Sequence, residues 1–181
     1  MKIVGLGGSL RVNSYSAAAL RKALEIAADA GAQTDIIDLR ELNLPIYIPD
    51  APVAAYAPPV RDALEEFLAK CRSADVMLWA TPTYHGSMSG AMKNAIDYMQ
   101  LLARDPAPYL QGKAVGLLSI SDAAPLAHLA GCVQELRAWL APTRLTFDAE
   151  DFSDGMVLAS EKALRRTTRL VDELLVHARG A

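Results

Sequence analysis

The sequence predicts a doubly wound α/β domain: a five-stranded parallel sheet in strand order 2-1-3-4-5 with helices on both faces. Three observations carry that expectation. Five short apolar runs alternate with five segments of helical periodicity. The third run is apolar throughout, as a strand covered on both faces must be. The 181 residues show no internal repeat and no compositional break, which suits one domain over residues 1–181 with a sizeable core.

Taken in order, residues 2–6 (Lys-Ile-Val-Gly-Leu) form the first buried strand. A helix over residues 16–30 follows, with Ala17, Leu20, Leu24 and Ala27 on one face and Gly31 as its stop. Residues 34–39 form the second strand. Residues 42–59 contain five prolines, which forbid a regular helix, and so long a loop covers a ligand or another subunit. The second helix carries Val60, Ala63, Leu64, Phe67 and Cys71 in phase.

Residues 75–81 form the third strand, and the next helix spans residues 89–102 with Met92, Ile96 and Met99 in phase. Residues 113–119 form the fourth strand, followed by a helix carrying Leu129, Val133, Leu136 and Leu140. Residues 143–147 form the fifth strand. Leu164, Thr168, Val171 and Leu175 mark the last helix.

Composition excludes several classes. A net charge of −3 lacks the basic footprint that nucleic-acid binding requires. Cys71 and Cys132 have neither redox-pair nor zinc spacing, and both read as core thiols. His128 and His177 have no companion ligands at metal spacing, so no metal is expected. No apolar run reaches the length of a membrane span, and the apolar run after Lys2 is too short for a signal peptide. A cytoplasmic protein is the expectation.

In doubly wound sheets ligands sit at the carboxyl ends of the strands, where the strand order reverses. That rule selects residues 7–16, 81–90 and 119–125. The first loop, Gly-Gly-Ser-Leu-Arg-Val-Asn-Ser-Tyr-Ser, contains no Walker A lysine. It holds only part of a dinucleotide fingerprint, with Gly5 and Gly7 present and Leu10 at the third glycine. Asp38, where a ribose-binding acid would sit, keeps that alternative open.

A phosphate monoester fits the residue types better. Ser9, Ser14 and Ser16 offer hydroxyls, Asn13 an amide and Arg11 a planar fork, beside the unpaired N–H groups of a helix start. Gly7 and Gly8 let the backbone turn tightly. Helix capping by Ser14 or Ser16 explains one residue and leaves the rest of the loop unexplained.

In the second loop, Pro82 and Gly86 punctuate the turn, Ser87 or Ser89 can cap the helix, and Tyr84 and His85 present flat faces. Lys93 and Asp97, four apart, suit an exposed ion pair as well as they suit a role in the site.

Gly-Ser-Leu-Arg-x-x-Ser-Tyr-Ser together with Pro-x-Tyr-His-Gly-Ser-x-Ser-Gly-x-x-Lys-Asn-Ala-Ile-Asp-Tyr resembles the NADPH-dependent FMN reductase family of flavodoxin-like folds. Leu-Pro-Ile-Tyr-Ile-Pro-Asp at residues 44–50 resembles that family's segment after the second strand. Residues 114–129 are similar to the branch that supplies reduced flavin to sulfonate monooxygenases. The resemblance implies an FMN phosphate held by Ser9, Arg11, Ser14 and Ser16, with Tyr15 nearby. Pro82, Thr83, Tyr84, His85, Gly86 and Ser87 would border the isoalloxazine, and Ser119, Ser121 and Asp122 would flank the ring or ribityl chain.

One departure stands out. Relatives often carry glycines in the third loop, where this chain has Ser-Ile-Ser-Asp-Ala-Ala-Pro. That change suits FMN as an exchangeable substrate, and Asp122 reads first as the N-cap of the following helix.

The resemblance further implies hydride transfer from NADPH (or NADH) to FMN, with no discrete catalytic side chain, because the cofactor carries the chemistry. It also implies a homodimer or homotetramer and a flavin-dependent monooxygenase as recipient. The alternatives are an FMN-containing quinone, azo or metal-oxyanion reductase and a non-enzymatic flavodoxin-type electron carrier.

Overall fold

A computed structural model describes residues 1–180. Strand β1 (Lys2–Gly7) pairs in parallel with β2 (Gln33–Asp38) on one side and with β3 (Val76–Thr81) on the other. β4 (Ala114–Ile120) and β5 (Trp139–Phe147) complete the five-stranded parallel sheet, in the expected order 2-1-3-4-5. Gly7 lies opposite both Asp38 and Ala80, and Thr81 lies opposite Ser119, so the carboxyl ends of the strands finish level. That alignment puts the three selected loops side by side.

Helices cover both faces. On one face α1 (Tyr15–Asp29) and α6 (Glu161–Gly180) bury Leu20, Ala23, Leu170 and Leu174 against Ile3, Leu78 and Leu118. On the other, α3 (Pro58–Ser73), α4 (Gly90–Tyr98) and α5 (Ala124–Glu135) bury Phe67, Met92 and Leu129 against Val4, Trp79 and Leu117. A one-turn helix α2 (Leu39–Leu42) follows β2, with Asp38 as its cap. Each large apolar side chain fully buried in such a layer contributes about 1.5–3 kcal/mol.

Several expectations shift. α3 begins at Pro58, because proline at the first helical positions has no N–H that the helix would use. Residues 42–59 are therefore not irregular throughout: they contain a 3-10 turn at Val53–Ala55 and yield two residues to α3. α5 ends at Glu135, where Arg137 takes a left-handed φ of 62° and redirects the chain. Leu140 thus lies on β5, which starts four residues earlier than the sequence suggests. On α6 the inward threonine is Thr167, whose hydroxyl donates to the Ala163 carbonyl; Thr168 is exposed.

A small hairpin, β6 (Phe152–Ser153) with β7 (Val157–Leu158), has no counterpart in the sequence reading. Its signal was Asp154-Gly155 between Phe152-Ser153 and the apolar run Met156-Val157-Leu158. Among the described residues no helix is long and apolar enough to cross a membrane.

Candidate functional site

The first loop begins with a close approach. The Gly8 N–H donates to the Ala80 carbonyl at 2.8 Å, and the Gly8 carbonyl accepts from the buried Ser89 hydroxyl. A Cβ on Gly8 would stand 2.9 Å from Met92 Cε and 3.0 Å from Met92 Cβ, so only glycine lets β1 leave the sheet beneath α4.

The chain then reaches α1. Ser14 is its N-cap, with Oγ accepting from the Ala17 N–H at 3.4 Å. Ser14 Oγ also lies 3.0 Å from Ser16 Oγ, and Ser9 Oγ accepts from the Arg11 N–H at 3.2 Å. All three serines are buried. The Arg11 side chain is exposed and, among the described residues, forms no ion pair. No acidic residue occupies the first turn of α1. Capping therefore uses Ser14, and Ser9, Arg11 and Ser16 remain as further donors at a positive helix end.

In the second loop, Tyr84 and Ser87 exchange both backbone hydrogen bonds at 3.0 Å around His85 (φ 51°) and Gly86 (φ 74°). Two consecutive positive φ values make a type I′ turn, which is why glycine stands at 86. Ser89 caps α4 by accepting from the Met92 N–H at 3.1 Å. Ser87 is not the cap; its Oγ lies 3.1 Å from His128 Nδ1 on α5. The Thr83 hydroxyl donates to the Ile120 carbonyl. The three loops are thereby tied to one another and to α5.

These loops enclose a cavity of about 400 Å³. Ser9, Arg11, Ser14, Tyr15 and Ser16 line it from the first loop, Pro82, Thr83 and Tyr84 from the second, and Ser121 from the third. Asn13 lines it as well. Ile120, within the third selected loop, and Met156, outside all three, complete the wall. Met156 arrives from the β6–β7 hairpin, visible in sequence only through Asp154-Gly155.

Five expected residues stand elsewhere. His85, Gly86 and Ser87 form the far side of the turn, outside the cavity wall. Ser119 is fully buried, its hydroxyl donating to the Asp122 carbonyl at 2.7 Å and lying 3.1 Å from Thr146 Oγ1. Its register at the end of β4 turns it into the sheet rather than the cleft. The Asp122 carboxylate accepts from the Ala124 N–H at 2.8 Å and so serves the start of α5.

Ser121 holds a left-handed φ of 66°, with its N–H donating to the Phe147 carbonyl at 2.8 Å. A glycine would meet that requirement without strain.

The dinucleotide alternative loses its acid. Asp38 accepts from the Arg40 N–H at 2.9 Å and pairs with the Arg40 guanidinium at 3.1 Å. Gly5 lies inside β1 facing Leu20 and Leu24, not at a phosphate turn.

Among the described residues no cluster of three metal-ligating side chains occurs. Lys93 and Asp97 make an exposed ion pair at 2.6 Å and do not line the cavity. The lining carries buried hydroxyls, one guanidinium, one amide and no carboxylate. That donor set fits a phosphate monoester.

Residues 1–162 match the family described as NADPH-dependent FMN reductase. The chain belongs to that family. An NAD(P)H-dependent FMN reductase of Pseudomonas aeruginosa is 36% identical over 121 residues, covering 67% of this chain and 60% of that relative. The chain therefore spans less than two thirds of that relative's length. An FMN-dependent NADPH-azoreductase of Staphylococcus aureus is 28% identical over 97% of this chain and 94% of its own.

Among solved structures, the flavoenzyme NAD(P)H:(acceptor) oxidoreductase FerB of Paracoccus denitrificans superposes with a TM-score of 0.77 at 22% identity. That match covers 99% of this chain and 97% of FerB. At that identity it speaks for the fold: this FMN reductase family member is flavodoxin-like.

Proposed function

We propose that this chain is an NAD(P)H:FMN oxidoreductase. Its FMN phosphate would lie on Ser9, Arg11, Ser14 and Ser16, and the ring against Pro82, Thr83 and Tyr84. The observation that carries this reading is the carboxylate-free cavity, where three buried serines, a free guanidinium and the start of α1 converge beside the second loop. When bound, FMN supplies the redox chemistry, taking a hydride from the nicotinamide and passing electrons on.

The chain's own residues bind and orient. Ser9, Ser14 and Ser16 donate to phosphate oxygens, Arg11 balances their charge, and Tyr15 keeps its place by packing on Phe152 at 4.7 Å between ring centroids. Tyr84 offers a flat, half-exposed face to the ring. No side chain is assigned as acid, base or nucleophile.

In this reading the protein works in the cytoplasm, where NAD(P)H is supplied, and passes reduced flavin to a flavin-dependent monooxygenase. It self-associates as a homodimer or homotetramer. An apolar groove of about 460 Å³ between α4 and α5, lined by Tyr47, Ile96, Cys132 and Leu136, supports that association.

A second reading, an azo or quinone reductase that retains FMN, is favoured by the relative matching along nearly the whole chain. One assay separates them. NADPH oxidation that rises with free FMN supports the first, and oxidation that needs only a quinone or azo dye supports the second. Absence of FMN binding by the purified protein, or unchanged FMN affinity in the S9A/R11A variant, overturns the proposal.

A further inference from the structure

The β6–β7 hairpin leaves its tip in solvent, with Ser153, Asp154, Gly155 and Val157 all exposed. Met156 differs: it is half-buried and lines the cavity that holds Ser14, Tyr15 and Ser16. Its backbone sits at φ 59°, a conformation that disfavours a side chain of this kind.

The hairpin is fastened at its base. The Met156 N–H donates to the Ser153 carbonyl at 3.1 Å, and the Ala159 and Ser160 N–H groups donate to the Asp151 carbonyl at 2.9 and 3.0 Å. Phe152 packs between Tyr15 and Phe147, at 4.7 and 6.2 Å between ring centroids, and Leu158 is buried in the core. Met156 therefore stands on a fixed wall beside the first turn of α1, at the donor end of the cavity.

We propose that Met156 is a specificity-determining residue that admits a flavin mononucleotide and excludes FAD. The inference rests on the FMN reading above. FMN ends in a single phosphate monoester. FAD continues from that phosphate through a second phosphate to adenosine, and the extension has to leave past the first turn of α1. There it meets the Met156 side chain, the Tyr15–Phe152 pair and the negative charge of Asp154, the one charged residue at the hairpin tip. The hairpin carries no cation for a second phosphate, so rejection is both steric and electrostatic.

The test is calorimetric titration of the full chain with FMN and with FAD, for wild type, Met156→Gly and Asp154→Lys. Glycine suits φ 59° and residue 154 is exposed, so both variants should keep the wild-type melting temperature. Wild type should prefer FMN. In Met156→Gly the ratio of the FAD to the FMN dissociation constant should fall about tenfold, with a smaller fall in Asp154→Lys. FMN binding with an unchanged ratio in both variants, or wild type binding both flavins equally, overturns the inference alone. Binding of neither flavin overturns the FMN reading and the inference with it.

Discussion

The Ser89 hydroxyl donates to the Gly8 carbonyl across 81 residues while its oxygen accepts from the Met92 N–H. One buried side chain thus caps α4 and ties the second loop to the first. Ser89→Ala removes both bonds and leaves a buried carbonyl unpaired. It should cost about 1–3 kcal/mol in urea unfolding, and a loss below a few tenths would show that the tie is not structural.

Arg11 lies at the mouth of the serine cradle without a carboxylate partner. Arg11→Ala should weaken FMN binding by about 1–2 kcal/mol, roughly tenfold, given its exposure. Riboflavin, which lacks the phosphate, should bind the variant as it binds wild type. Equal losses for both flavins would place Arg11 against the ring instead.

Gly86 occupies φ 74° in the turn that presents the second loop. Gly86→Ala should destabilise the protein by about 1 kcal/mol and weaken FMN and riboflavin binding alike. Thermal unfolding together with flavin titration reads both effects.

The two thiols differ in environment. Burial pushes the Cys71 thiol up to about 12, and also raises Cys132, which is only half-buried beside α4. Native protein treated with a maleimide at neutral pH should be labelled slowly at Cys132, and Cys71 should react only after unfolding. Labelling of Cys71 in the native state would contradict its place in the core.

Glu173 joins α6 to β5. Burial pushes its carboxyl up, but bonds from the Thr143 N–H (3.0 Å), the Thr143 hydroxyl (2.7 Å) and Arg169 (3.0 Å) outweigh it, leaving the group below the ordinary 4.5. A carboxyl depressed on folding stabilises the protein above its unfolded pKa, and that contribution fades as pH falls through the folded value. Between about pH 6 and about pH 3, Glu173→Gln should therefore lose less stability than wild type.

Much of this was legible without coordinates. Alternating apolar runs and helical phases dictated the sheet and its helices, because burial requires each pattern. The spacing of Ser9, Arg11, Ser14 and Ser16 marked the first loop, because a strand-to-helix turn gathers neighbours in sequence onto one site. Register and long-range packing were not legible. Whether Ser119 faced the cleft or the sheet depended on its pairing opposite Thr81 and on the position of Thr146. The division of labour between Ser87 and Ser89 depended on where α5 places His128. Met156 reached the cavity only because Phe152 packs on Tyr15, a pair far apart in sequence and joined by the fold alone. Local chemistry is written in neighbouring residues, and contacts between distant segments exist only once the sheet has closed the distance.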